Sequence, residues 1–533
     1  MDHHTRFTAH GSWYPVLWLF LIILVVAGLS LISLHLPLGR DQGVAAYFGG
    51  QILEGKVVYR DLYHFNFPGI FYTYALALKL FGLKPEAINL FDLIFRLFTL
   101  AGIYLAGARL FGKPSGLWAA GIYGIFSTVV YNNYWQNAQK ETFALGALVY
   151  CLYFFSLGLE AGKWKKPWIF LAGIFGFWAM LYKPTVALAP GLMGLFLLLD
   201  QGRGIKERGM GILGFGLGLI LPAIIVAIYF QSRHALSEMI RQVFIFGTAY
   251  GGQYYSGGPK VFGLIFWKIV SWMIDFGFLV GFAILGMTGL IREKKQNWKL
   301  PFWFGLGLFL NLLIQLKFFT YHFMVLLLPL AIFSGAFFGA ELDKLFPAQN
   351  RPARAGIWIL ALFLFSANLK SDFSRYGREL LYDLGRISKD DFLEKYGKWG
   401  FGDLSVTAEY QVSRYLREQT GPEEKVLVFG LEPGINFLAQ RKAPGKFSYD
   451  LPLTYQFGSE KFQPYQNQLR KQFLSELNSG APAYIVVVEK DTSAIEPKDS
   501  FDQMLAWVEF KSFLAENYFL ETKIEHYYLY RKK

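Results

Sequence analysis

The chain has 533 residues, 54% of them hydrophobic and only 17% charged, with a net charge of +13 and one cysteine, Cys151. A soluble domain carries about a quarter charged residues, so this deficit excludes an ordinary soluble globular protein and points to a polytopic membrane protein. A single cysteine excludes an intramolecular disulfide. The excess of Lys and Arg falls largely in short connections between apolar runs, which marks membrane topology rather than nucleic-acid binding.

Residues 13–36 form the first apolar run, preceded by Arg6 and lacking a small-residue cleavage site, and read as a retained signal anchor. Further runs follow at 86–111, 115–131, 140–159, 167–182, 185–200, 209–230, 260–291, 300–317, 321–339 and 355–370. That gives about eleven transmembrane helices, each needing roughly 20 residues to cross hydrocarbon. Helices are expected because lipid offers no partner to backbone amides.

Charge orients them. Lys163, Lys165 and Lys166 share one connection, Arg203, Lys206 and Arg208 a second, Arg292, Lys294, Lys295 and Lys299 a third, and Arg351 and Arg354 a fourth. Two spans separate each from the next, so all face one side, the cytoplasm, together with the N-terminus. This requires that 67–82, which contains Pro68 and Gly69, lie at the outer interface as a juxtamembrane helix. The connections 37–85, 132–139, 183–184, 231–259, 317–320 and everything beyond about 371 then face outward. Any chemistry is expected there.

From about 371 the composition shifts. "VLVFG" (426–430) and "YIVVV" (484–488) read as buried strands, flanked by helical stretches near 460–479 and 500–516, and "HYYLYR" (526–531) alternates like an edge strand. The division is a transmembrane domain over 1–370 and a small C-terminal α/β domain over 371–533.

In the first outer loop, Asp41 follows the first span and precedes an amphipathic stretch, Val44–Leu53. A carboxylate at a lipid–water boundary can have a tuned basicity, so Asp41 is the candidate general base on an acceptor hydroxyl, against the plainer reading of a solvated residue past a helix end. Asp61, in "VVYRDLY", is balanced between a pocket role and an ion pair. His64 can contact substrate or a metal, although a histidine among aromatics is more often packed and hydrogen-bonded. The second loop, "YNNYWQNAQKET" (131–142), offers amides for hydroxyl recognition and Tyr134 and Trp135 as stacking platforms. Helix capping and an interfacial belt are the competing reading, and Glu141 stands near a helix start. Lys183, at an outward turn, and Lys317, Tyr321 and His322 lie at span edges, where ionisable groups are functional candidates. Arg233, Arg241, Tyr250, Gln253 and Lys260 belong to or border the glycine-rich third loop. No P-loop, dinucleotide glycine pattern, H-E-x-x-H or paired C-x-x-C occurs, which argues against ATP-driven transport.

Arg40, Asp41, Gly55, Tyr59, Arg60, Asp61, Pro68 and Gly69, with Glu141, Lys183–Pro184, His322 and the stretch 426–453 containing Arg441, together resemble the GT-C glycosyltransferases. The likeness is to bacterial relatives of the dolichyl-phosphate-mannose protein mannosyltransferases and the lipid A aminoarabinose transferase. The resemblance implies transfer of a sugar from a polyprenyl-phosphate donor to a periplasmic glycan, lipid or protein acceptor, with inversion. Asp41 would be the base, and Arg40, Tyr59, Arg60, Asp61, His64, Glu141, Lys183, Arg233, Arg241, His322 and Arg441 would line the substrate sites. It also implies a bacterial inner-membrane location with the C-terminal domain in the periplasm. Two departures stand out: Gln42 replaces the usual second acid, which weakens the case for a divalent metal, and "NFPG" replaces a lysine-containing ending. A lipid-linked-glycan transporter and a non-catalytic envelope assembly partner are the alternatives from other classes.

Overall fold

In a computed structural model, the structure describes residues 14–130, 133–159, 166–200, 202–252, 259–294, 296–342, 352–353, 355–357, 359, 375–396, 405–457, 460–492 and 498–533. The chain forms two compact units. One comprises 1–34, 90–226 and 257–377, and the other 35–89, 227–256 and 378–533.

The first unit is helical. Among the described residues, six helices in the chain are long and apolar enough to cross a membrane: Pro15–His35, Pro85–Phe111, Lys140–Gly158, Ile205–Ser232, Ile265–Arg292 and Thr320–Ala340. Shorter apolar helices occur at Lys166–Met180, Pro184–Leu199 and Lys299–Gln315. The run at 115–131 is an α-helix over Lys113–Ile125 that widens to a π-turn at Phe126–Val130. There the Thr128 hydroxyl donates to Gly124 O at 2.7 Å and that of Ser127 to the same oxygen at 3.2 Å, competing with the helical ladder. The 355–370 run lies largely outside the described residues. Helices Lys166–Met180 and Ile205–Ser232 cross at Gly173 and Gly218, where a Cβ on either would fall within 2.3 Å of a carbonyl oxygen of the other helix; small residues permit such close packing between membrane helices.

Inside the Pro85–Phe111 helix an ion pair that the apolar pattern conceals joins Asp92 and Arg96, each 2% exposed, at 2.5 Å. Arg96 also donates to Ser127 O and Asn137 Oδ1, and Asp92 accepts from the Ala138 amide at 3.0 Å. A charge at this depth is tolerated because it is paired and fully hydrogen-bonded. It ties the second outer loop to the helix.

The second unit holds a four-stranded mixed sheet: β1 (Val426–Phe429), β2 (Tyr484–Val488), β3 (Tyr518–Ile524) and β4 (Tyr527–Lys532), in the order β1-β2-β4-β3. β1 and β2 are parallel, with Val426 opposite Tyr484; the other pairs are antiparallel. Alternate residues of β1 and β2 enter two cores. Val426, Val428, Tyr484, Val486 and Val488 pack with Val412, Leu416 and Ile435, while Leu427, Phe429, Ile485 and Val487 pack with Phe473, Trp507 and Phe510. Burial on both faces is why these strands read as unbroken apolar runs. β4 differs from expectation: it lies inside the sheet, whose edge strands are β1 and β3. Its alternation reflects half-buried side chains rather than a free edge.

The expected helices appear at Gln463–Gly480, Ser500–Ala506 and Val508–Asn517. In the same unit, Gly69–Phe81 is a 13-residue helix, and the amphipathic stretch after Asp41 is a helix, Arg40–Leu53.

Candidate functional site

The sequence-selected residues fall in both units, and each set has its own geometry. In the sheet-bearing unit, Asp41 stands exposed in the first turn of the Arg40–Leu53 helix, beside buried Gln42. A carboxylate suits that position, where unsatisfied amide dipoles converge.

Arg40 turns the other way. Its Nε donates to Glu432 Oε1 at 2.8 Å. Burial of Arg40 opposes its charge, but Glu432 and Asp491 hold its pKa above the ordinary value. Burial pushes the Glu432 carboxyl up to about 7 against the pull of Arg40, and raises Glu409 well above its usual range. Asp450, buried near Asp491, is likewise pushed up to about 7.

The rest of the first loop is internally bonded. Tyr59 is fully buried at φ 74°, donates to Asn66 O at 2.8 Å and accepts through its own carbonyl from Gln242 Nε2 at 2.8 Å. Asp61 accepts from the Val57 amide at 2.8 Å and pairs with Arg60 through two bonds of 3.0 and 2.8 Å. Burial raises its pKa, but the Arg60 and Val57 hydrogen bonds outweigh that and hold it below the usual carboxylate range. Arg60 also reaches Arg233 O at 3.1 Å. His64 is 6% exposed; its Nδ1 accepts from the Asn66 amide at 3.0 Å, and its ring packs among Phe48, Phe65, Phe71 and Tyr449.

Arg233 and Arg241 are exposed, the latter 3.6 Å from Glu238. Tyr250 packs on Phe65 and Tyr455. Gln253 and the side chain of Lys260 lie outside the described residues. Arg441 is 7% exposed and donates to Thr420 Oγ1 and to the carbonyls of Arg417, Ala439, Gln440 and Thr420 at 2.6–3.2 Å. It closes the C-terminal end of the Val406–Gln419 helix.

In the helical unit, Glu141, Lys183 and His322 converge. Glu141 begins the Lys140–Gly158 helix and is fully buried. Lys183 Nζ donates to Glu141 Oε1, and His322 Nε2 lies 3.9 Å from the same oxygen. Pro184 ends helical continuity: Lys183 is extended and a 3-10 turn starts at Pro184. Glu141 Oε2 and His322 Nδ1 are buried and, among the described residues, have no hydrogen-bond partner.

Further cations surround the cluster. Lys140, Lys268 and Lys317 join Lys183 in acting electrostatically on His322, and Lys268 Nζ lies 3.5 Å from Lys317 O. Lys140 belongs to the second-loop stretch 131–142 and Lys317 to a span edge, but Lys268 sits within an apolar run and is tied to the others only by folding. A cavity of about 330 Å³ begins at the next residue, lined by Pro184, Thr185, Leu188, Leu192 and Ile314 among others. Of the second-loop amides, Gln136 bonds to Thr320 at 2.9 Å and Asn137 to Arg96, and Tyr134 is 4% exposed; Tyr131 and Asn132 lie outside the described residues. Among the described residues no group of three or more His, Cys, Asp or Glu is arranged to hold a metal ion.

Residues 67–230 match the family model described as dolichyl-phosphate-mannose-protein mannosyltransferase. No curated protein sequence matches the chain. Among solved structures, ArnT from Cupriavidus metallidurans bound to undecaprenyl phosphate superposes with a TM-score of 0.60 at 15% identity, covering 98% of both chains. Its apo form gives 0.59 at 14% identity, covering 97% of this chain and 98% of that one. The Archaeoglobus fulgidus oligosaccharyltransferase tethered to an acceptor peptide gives 0.49 at 13%, covering 98% of this chain and 75% of its own.

Proposed function

We propose that this chain, whose fold is the membrane GT-C fold and whose family-model match relates it to the mannosyltransferases, is an integral membrane glycosyltransferase using a polyprenyl-phosphate-linked sugar. The observation that carries the reading is the Glu141–Lys183–His322 cluster with Lys140, Lys268 and Lys317, beside a largely apolar cavity. Concentrated positive charge suits a phosphate that gains charge as it leaves, and an apolar cavity suits the isoprenoid attached to it. The ArnT structure with undecaprenyl phosphate supports the same donor class.

The reaction is the one the family resemblance implies for these residues. Asp41 takes the proton of an acceptor hydroxyl, the acceptor oxygen attacks the anomeric carbon with inversion, and the sugar–phosphate C–O bond breaks. The lysines stabilise the released polyprenyl phosphate. The acceptor is a periplasmic glycan, lipid or protein, and the location is the bacterial inner membrane, with the N-terminus cytoplasmic, 1–370 forming the membrane domain and 371–533 facing the periplasm. The Asp92–Arg96 pair offers a transporter no open polar group, because it is consumed by bonds to the second loop.

The test is transfer of labelled sugar by purified chain from a panel of undecaprenyl-phosphate hexoses and pentoses. Asp41→Asn should lower the rate by about 10²–10⁴, the range of a lost general base. Full activity in folded Asp41→Asn protein would overturn the assignment.

A further inference from the structure

The Arg40–Leu53 helix presents one face to the segment 432–443. Arg40, Gly43 and Tyr47 repeat at three and four residues, and Glu54 follows seven later, so they share a stripe. Arg40 Nε reaches Glu432 Oε1 at 2.8 Å, Tyr47 Oη accepts from the Ala443 amide at 2.8 Å, and Lys442 Nζ lies 2.9 Å from Glu54 Oε2. Between them Gly43 meets Gly434 so closely that a Cβ on Gly43 would come within 2.8 Å of Gly434 Cα. Four contacts along one stripe clamp a 14-residue helix.

One of these contacts, Arg40–Glu432, adjoins Asp41. That residue follows Arg40 directly, about 100° around the helix, on a side exposed to solvent. The helix start has Gly39 as N-cap and no side-chain cap bond, so the Arg40–Glu432 bond fixes the orientation of the turn that carries Asp41. Resting on the assignment of Asp41 as base, we propose that Glu432 is a positioning residue which, through Arg40, sets the direction of the Asp41 carboxylate.

The setting of Glu432 supports this. It is 2% exposed and lies in the electrostatic field of Glu409 and Asp491, with Tyr527 buried beside the group. A carboxylate held among other acids keeps its charge only with a cation against it. Arg40 supplies that cation, so the position of its side chain is determined by Glu432 rather than by solvent. Glu432 belongs to "GLEPG", between β1 and the Gly434–Ala439 helix, and Pro433 stiffens the turn that presents it.

The experiment uses full-length chain in lipid nanodiscs, as native, Glu432→Gln, Glu432→Asp, Asp41→Asn and the double variant Asp41→Asn/Glu432→Gln. Hydrogen exchange in Glu432→Gln should rise at least tenfold across the first turns of 40–53, while β2 keeps its native rate. With undecaprenyl-phosphate sugar as donor, Glu432→Gln should lower kcat at least tenfold with donor KM within twofold, and Glu432→Asp should recover part of the loss. In the Asp41→Asn background Glu432→Gln should cost no further rate, because its action runs through Asp41. Unchanged exchange over 40–53, or losses that multiply in the double variant, would overturn the proposal. Full activity of Asp41→Asn alone would instead refute the base assignment, and exchange would still decide whether the clamp exists. Should Glu432→Gln fail to fold, Arg40→Lys, which keeps the charge but not the guanidinium geometry, provides the same readouts.

Discussion

Replacing Lys183 by Met separates the structural and ligand-binding parts of the Glu141–Lys183–His322 cluster. Lys183 is 12% exposed, and Glu141, its partner, is fully buried. Met preserves length and volume but removes the cation, leaving Glu141 with His322 at 3.9 Å, beyond hydrogen-bond range. Removing one member of a buried pair costs about 3–5 kcal/mol, mostly from the stranded charge. Adding Glu141→Gln removes that charge, so the double variant should recover most of the stability. It should not recover phosphate affinity, since the cation is still missing. A charge-assisted bond of about 1.5–3 kcal/mol corresponds to roughly 10- to 150-fold in Kd. Thermal unfolding in detergent measures the first effect and binding of undecaprenyl phosphate the second. If Lys183→Met is as stable as native, the buried-pair reasoning is wrong. If the double variant binds the lipid phosphate at native affinity, the assignment of Lys183 to the donor phosphate is wrong.

Arg441→Met should destabilise the sheet-bearing unit by about 3 kcal/mol, because several buried carbonyls lose a charged donor; chemical denaturation followed at that unit checks it, and a lowered donor affinity at native stability would contradict its structural role. The same unit should respond to pH. Glu432 and Asp450 are raised by burial from 4.5 and 3.8 to about 7, so between those limits the folded state holds more protons than the unfolded one. Their contribution is therefore full below the ordinary carboxylate range and is lost as pH rises through about 7, by roughly 3 kcal/mol for Glu432 and roughly 4 kcal/mol for Asp450. Hydrogen exchange in β1 and β2 between pH 5 and 8 should show stability falling with pH, and Glu432→Gln with Asp450→Asn should flatten the slope; stability rising over that range would refute the burial argument.

The candidate site was legible unevenly. Asp41 is conspicuous in the sequence as a carboxylate following a span, but its place in a helical turn rather than a loop depends on the stripe opposite it. Tyr59 and Asp61 match a motif, yet their side chains, like that of His64, are taken up by bonds within the loop, and Gln242, some 180 positions away, holds the backbone of Tyr59 and His64. Glu432 carried only a weak signal, an acid between a strand and a helix in "VLVFGLEPG". Its partner is 392 positions earlier, and no local pattern encodes such a pairing. The Asp92–Arg96 pair was hidden by the hydrophobicity around it.

By itself the sequence determined the elements: apolar length made the membrane helices, since lipid leaves backbone amides no other partner, and unbroken apolar runs made the doubly covered strands. The tertiary structure alone decided strand order, placing β4 inside the sheet, because pairing depends on which strands the intervening helices bring together. It also decided which charges are structural and which are open. Arg40, Arg96 and Arg441 look alike as letters. Only folding shows that each is held by carboxylates or carbonyls, because the penalty for an unpaired buried charge is set by neighbours distant in the chain.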